Sequence, residues 1–140
     1  MSSKPHNRAQ HAHRWRRQPA IGCGVDVVEL ARFREAIARG GKTFLRRVFT
    51  PREEAYARAR KRTTLLHLAG RFAAKEAVIK AISQVQPKRL LAMREVEVVN
   101  DRIGRPRIVL HDGKRSRISL HVSLSHTATV AVASAFAIRE

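Results

Sequence analysis

The stretch GRFAAKEAVIKAI, residues 70–82, constrains this chain more than any other: it reads as a helix that must pack against something. An α-helix turns about 100° per residue, so Leu65, Leu68, Phe72 and Ile79 fall on one apolar stripe. Glu76 stands inside that stripe, with Lys75 and Lys80 at its flanks. An uncompensated buried charge is very costly, so the position needs a reason. Two readings fit. Glu76 can pair with Lys80 at i→i+4, solvated at the edge of the stripe. Alternatively, it can face a cation shared with another element.

Asp26 offers that second element. The run IGCGVDVVEL, residues 21–30, alternates as a short strand. Ile21, Cys23, Val25 and Val27 share one face, and Gly22, Gly24, Asp26 and Val28 share the other. The glycines leave room beside the carboxylate. Asp26 alone could cap a backbone or pair with an arginine. Together with Glu76 it could converge on a hard divalent cation, most simply Mg²⁺, which takes one or two carboxylates plus phosphates and water.

The rest of the chain supplies a frame for these two groups. LARFREAIARG reads as a helix with Leu30, Phe33 and Ile37 inward, Arg32 and Arg39 toward solvent, and Gly40–Gly41 as its stop. Thr50, Pro51 and Glu53 carry a capping-box signature, and the helix they start is expected to reach about Thr63–Thr64. The helix bearing Glu76 should end near Ser83, followed by a loop with Pro87. REVEVVNDRIGRPRIVLHD reads as a hairpin turning at Gly104, and RISLHVSLSHTATVAVASAFAI as strands broken near SHT. The order β-α-α-α-β-β-β-β predicts an α+β fold, with helices packed on a mostly antiparallel sheet.

Length and charge bound the function. The 140 residues, 44% hydrophobic, suit one domain over 21–140. No run approaches the roughly 20 apolar residues of a membrane span, so no membrane partner is expected. The single Cys23 can make no intrachain disulfide and excludes a multi-cysteine zinc site; a reducing, cytoplasmic location is the expectation. Net charge is +18. Residues 1–20 hold five Lys/Arg, three His and no acid, and read as a disordered basic arm. The body keeps 24 Lys/Arg against 11 Asp/Glu, with 11 basic and three acidic residues between Leu30 and Arg62. An acidic partner follows: nucleic acid, an acidic protein or a polyphosphate ligand. Aromatics of only 5% and the lack of an RNP-like motif or zinc finger count against nucleic acid.

The polar cluster SLSHT, 123–127, is by itself a turn between strands. A Ser/His pair could signal nucleophilic catalysis, but no G-x-S-x-G elbow is present, and the chain has no P-loop.

Taken together, GVDVVELAR (24–32), FTPREEAYA (49–57), GRFAAKEAVIKAI (70–82), NDRIGRPRI (100–108) and HVSLSHT (121–127) stand in one order over one short domain. The chain thereby closely resembles the holo-acyl-carrier-protein synthase family of small phosphopantetheinyl transferases, over roughly residues 21–138. The resemblance implies transfer of 4′-phosphopantetheine from coenzyme A to a serine of apo-acyl carrier protein, with Mg²⁺, releasing 3′,5′-ADP and serving fatty acid biosynthesis. It implies Asp26 and Glu76 as metal ligands, with Glu76 as base for the serine, directly or through water. By the same resemblance Ser125, His126 and Thr127 lie near the coenzyme, His126 counting with Glu76 and Asp26 as catalytic, with Gly104 and Pro106 by its nucleotide. Arg71, Lys75 and Lys80 are expected near its phosphates. Arg32 matches a carrier-docking position, and Arg39 shares its helix in the basic 30–62 face. A homotrimer with active sites at subunit boundaries is also implied.

One departure stands out. Where the family usually has a glycine-rich stretch, this chain reads AISQVQPKRLLAMREVEV, so Lys88 and Arg89 are candidates to supply charge to the coenzyme instead. Two other functions remain open on these residues: a basic nucleic-acid-binding module that lost the chemistry, and a transferase for a secondary-pathway carrier.

Overall fold

The computed structural model describes residues 19–140, so the basic arm read over 1–20 lies almost wholly outside the described residues. The elements run β1 (Ile21–Glu29), α1 (Leu30–Val48), α2 (Pro51–Arg58), α3 (Thr64–Val85), β2 (Val96–Asn100), β3 (Pro106–Leu110), β4 (Ile118–His126) and β5 (Val130–Arg139). This is the expected order. The strands form two antiparallel sheets, a three-stranded one ordered β1-β5-β4 and the β2-β3 hairpin.

Helix α3 lies on the three-stranded sheet, and alanine sets how close it comes. Ala131, Ala133, Ala135 and Ala137 alternate along β5 and are buried, as are Ala73, Ala74, Ala77 and Ala81 of α3. On β1 the approach is closer still. A Cβ on Gly22 would stand 2.1 Å from the Ala81 carbonyl oxygen, and one on Gly24 would stand 2.0 Å from that of Ala77. Glycine is required where strand meets helix backbone. The Gly22–Gly24–Asp26–Val28 face of β1 therefore turns inward. Ile21, Val25 and Val27 lie exposed on the other face, beside Phe136 and Ile138 of β5.

The structure revises three local expectations. Helix α1 does break at Gly40–Gly41, where Gly41 (φ +54°) is non-helical, but a second helical segment continues beyond the expected stop to Val48. The kink returns Phe44 to an aromatic cluster, 6.1 Å from Phe33 and 6.4 Å from Phe72 between ring centroids, and that burial outweighs the glycine break. Helix α2 ends at Arg58, short of Thr63–Thr64. A short 3₁₀ turn over Lys61–Thr63 follows, and the Thr64 hydroxyl donates to the Ala57 carbonyl at 3.0 Å. Finally, the buried face of α3 combines its alanines with Val78, Ile82 and Val85; of the expected stripe Leu68 is buried, whereas Leu65, Phe72 and Ile79 are half-buried. Glu76 thus sits on the shallower side of the helix.

Candidate active site

Side chains one turn apart on α3 run along the free edge of β1. Gln84 Nε2 donates to the Cys23 carbonyl at 2.7 Å, and Cys23 N–H donates to Gln84 Oε1 at 3.1 Å. One turn back, Lys80 Nζ donates to the Val25 carbonyl at 3.0 Å and to Asp26 Oδ1 at 3.0 Å. The same i, i+4, i+8 spacing puts Glu76 on the face of α3 that carries Lys80 and Gln84. Glu76 is half-buried and has no hydrogen-bonding or ionic partner among the described residues.

This flank therefore holds two hard oxygen donors, one already gripping a cation in the form of the Lys80 ammonium and the other unsatisfied. No cluster of three or more His, Cys, Asp or Glu able to hold a metal occurs among the described residues. A two-carboxylate site suits an ion that keeps water and takes substrate phosphate oxygens, which is the habit of Mg²⁺. The donor set fits the metal.

The opposite flank of α3 carries a cavity of about 700 Å³. Its walls come from the first half of α3, the β2-β3 turn and the inner end of β4, and include Arg71, Gly104, Pro106, Ser125 and His126. His126 pairs with Ala131 of β5, two rows beyond the Asp26–Ala133–Leu124 row, so the central strand separates it from Asp26. Within one chain, then, the structure groups Asp26, Glu76 and Lys80 on one flank, and the coenzyme-motif residues on the other. Thr127 lies at the strand end, where its hydroxyl accepts from Thr129 and Val130 N–H groups at 3.3 and 3.2 Å and shapes the turn.

The cavity is electrostatically positive. Arg71 is 4% exposed, and its Nη2 donates to Asn100 Oδ1 at 2.8 Å. Burial pulls its pKa down, with Tyr56 acting against the shift. The Tyr56 ring lies between two guanidinium groups, 3.3 Å from Arg60 Cζ and 3.8 Å from Arg71 Cζ. His67, also in the wall, is held below its ordinary pKa by burial and then by Arg71, Arg60 and His126. It faces the cavity in its neutral form near neutrality.

Lys75 belongs to neither flank. Its ammonium is wholly buried, 2.6 Å from Glu53 Oε2, and donates to the Val48 and Met93 carbonyls at 2.6 and 3.1 Å. Burial lowers its pKa and Glu53 opposes the shift. Glu53 is the N3 residue of the α2 capping box, and its Oε1 also accepts from Val98 N–H at 2.8 Å. The expectation of Lys75 near coenzyme phosphates is thus corrected: all three ammonium protons are taken in the core. Arg89 is corrected likewise. It makes a two-pronged pair with Asp112 at 2.8 Å for both contacts, each side chain 5% exposed, and so is not free to replace a glycine-rich loop. Lys88 remains exposed.

Arg32 and Arg39 lie exposed on α1. All 11 basic residues between Leu30 and Arg62 are exposed, whereas Glu53, one of the three acids there, is buried. The surface is more positive than its composition.

Tyr56, His67, Gln84 and Asn100 were not singled out in the sequence. Gln84 follows Lys80 by four residues, so extending the helix past Ser83 would have found it. No spacing rule links Tyr56 or Asn100 to Arg71.

Comparison with known proteins places the chain in a family. The sequence model of the 4′-phosphopantetheinyl transferase superfamily matches residues 22–135. The chain is 36% identical to a holo-[acyl-carrier-protein] synthase of Clostridium tetani over 81% of this chain and 91% of that protein. It is 38% identical to one of Geotalea daltonii over 80% and 93%. Among solved structures it is similar to a Chronobacterium ammoniagenes ACPS–CoA complex, at 35% identity and TM-score 0.72, covering 87% of this chain and 99% of that one. A Bacillus anthracis holo-(acyl-carrier-protein) synthase in complex with CoA (3′,5′-ADP) matches at 31% identity and TM-score 0.71, covering 85% and 96%. Sequence and fold point the same way: the chain belongs to the 4′-phosphopantetheinyl transferase superfamily.

Proposed function

We propose that this protein is a holo-acyl-carrier-protein synthase that moves 4′-phosphopantetheine from coenzyme A to a serine hydroxyl of an apo-acyl carrier protein. The observation that carries this is the pairing of two oxygen donors, Asp26 held by Lys80 and Glu76 unpartnered, with a basic cavity across the same helix. The serine oxygen forms a bond to the phosphorus bearing pantetheine, the pyrophosphate P–O bond breaks, and 3′,5′-ADP leaves. Asp26 and Glu76 are the residues to hold Mg²⁺, which when bound stabilises charge on the pyrophosphate. Glu76, directly or through a water, accepts the serine proton. Arg71 and the neutral His67 receive phosphate and hydroxyl groups of the coenzyme, with Ser125 and His126 at the strand end and Gly104 and Pro106 at the turn. Lys80, bridging strand and carboxylate, neutralises whichever anion Asp26 shares.

Two further readings rest on the surface. The exposed arginines of α1 and α2, Arg32 and Arg39 among them, suit docking of an acidic carrier protein. The half-sites lie on opposite flanks of α3, and the sheet leaves Ile21, Val25, Val27 and Phe136 uncovered. A homotrimer that buries this apolar face and joins one subunit's carboxylates to the next subunit's cavity accounts for both. No helix among the described residues is long and apolar enough to cross a membrane. A cytoplasmic location accords with the single cysteine.

Intact-mass analysis of an apo-carrier protein incubated with this protein, coenzyme A and Mg²⁺ tests the reading. The carrier should gain one phosphopantetheine mass, and the gain should vanish with chelator. Full transfer in the presence of excess chelator would refute the metal part; no gain with any acyl carrier protein would refute the whole.

A further inference from the structure

Arg71 is held at its face and at one nitrogen and lacks a partner at another. Tyr56 covers its face at 3.8 Å, Asn100 accepts from Nη2 at 2.8 Å, and its Nε is buried with no hydrogen-bond partner among the described residues. A guanidinium 4% exposed with an unsatisfied donor is unfavourable unless a ligand completes it, and Arg71 lines the cavity. Asn100 also reaches the other wall: its Nδ2 donates to the Gly104 carbonyl at 2.9 Å. Gly104 (φ +84°) sits in a turn closed by Asp101, whose carboxylate accepts from Ile103 and Arg105 N–H groups at 3.0 and 2.9 Å. One amide thus joins the α3 arginine to the β2-β3 turn, using its acceptor on one and its donor on the other.

We propose that Asn100, itself in the cavity wall, is a positioning residue for coenzyme binding: it locks Arg71 and the Gly104 turn into one rigid wall. The inference rests on the coenzyme reading of the cavity. Preorganisation of this kind improves affinity by sparing the ordering cost at binding. It acts through Arg71, so removing Asn100 matters only while Arg71 is present. A mere hairpin tether would act equally in either background.

A double-mutant cycle on the full chain separates the two. The dissociation constant of 3′,5′-ADP by calorimetry, KM and kcat for coenzyme A, and the thermal midpoint are measured for Asn100→Ala, Arg71→Met and the double variant. Asn100→Ala should weaken 3′,5′-ADP about tenfold and raise KM alike, with kcat changed less than about twofold, as for loss of one charge-assisted hydrogen bond. In the Arg71→Met background the same change should have no further effect on binding. Asn100→Thr, whose β-branched side chain suits a strand, removes the two-sided bridge without emptying the position and should show the same dependence on Arg71. Equal weakening in both backgrounds, or unchanged binding in Asn100→Ala and Asn100→Thr, would overturn the inference. Failure of the unsubstituted protein to bind 3′,5′-ADP would instead overturn the coenzyme reading, and the inference with it.

Discussion

Lys80 closes on Asp26, Nζ to Oδ1 at 3.0 Å, from a helix that presses against the glycines of the same strand. The pair is partly solvated, with side chains 50% and 19% exposed, so its worth to the fold is small. Its worth to the chemistry is larger, because the ammonium stands next to the carboxylate proposed to meet a pyrophosphate. Lys80→Met should therefore cost under about 1 kcal/mol of stability yet slow transfer roughly tenfold to a hundredfold. Denaturant unfolding and steady-state transfer, measured on one preparation, check both halves.

Gly24 tests the strand–helix contact that positions Asp26. A methyl group there would overlap the Ala77 carbonyl oxygen, a backbone atom that cannot swing aside. Gly24→Ala should destabilise by about 3 kcal/mol or more and lower the thermal midpoint accordingly. Gly70→Ala, whose Cβ would meet Leu124 Cδ2 at an ordinary 3.4 Å, should be far milder.

Lys75 and Glu53 form a buried pair, so removing one partner strands the other. Lys75→Met should cost about 3–5 kcal/mol, and Lys75→Met with Glu53→Gln less than the sum of the single changes. Whatever folds of Lys75→Met should keep an unaltered KM for coenzyme A. A raised KM at full stability would return Lys75 to the coenzyme.

His67 links ligand binding to protons. Its pKa lies below 6.5, first through burial and then through Arg71, Arg60 and His126. An anionic ligand offsets the cations, raises that pKa and draws a proton, so binding below pH 6.5 should take up protons. Calorimetry of 3′,5′-ADP in buffers of different ionisation enthalpy should show the uptake at acidic pH, and Asn in place of His67 should abolish it. The same depressed pKa means the unfolded chain binds the extra proton first, so stability from this residue falls as pH drops below 6.5.

Element order and both carboxylates were readable because each is local. Alternation exposed β1 and the Thr50–Pro51–Glu53 box opened α2, whereas the i→i+4 pairing of Glu76 with Lys80 that the helical period allowed is not formed: Lys80 pairs with Asp26 instead. Burial was not local. The stripe of Leu65, Leu68, Phe72 and Ile79 looked like the core face, but only Leu68 is buried, and the alanines that let backbones approach more closely share that role with Val78, Ile82 and Val85. Lys75 looked free beside Glu76, and its true partner, Glu53, belongs to another helix. Asn100 reads as a turn residue until Arg71, on a different element, reaches it. Pairings made only by tertiary contact leave no period in the chain.

The central claim is that Asp26 and Glu76 together hold the divalent ion on which transfer depends. The magnesium concentration giving half-maximal transfer to apo-carrier protein, in unsubstituted protein, Asp26→Asn and Glu76→Gln, tests it most directly. The account predicts that each variant keeps its fold and needs at least about tenfold more magnesium, or loses transfer altogether. Full transfer in both variants at the unsubstituted protein's magnesium requirement would contradict it.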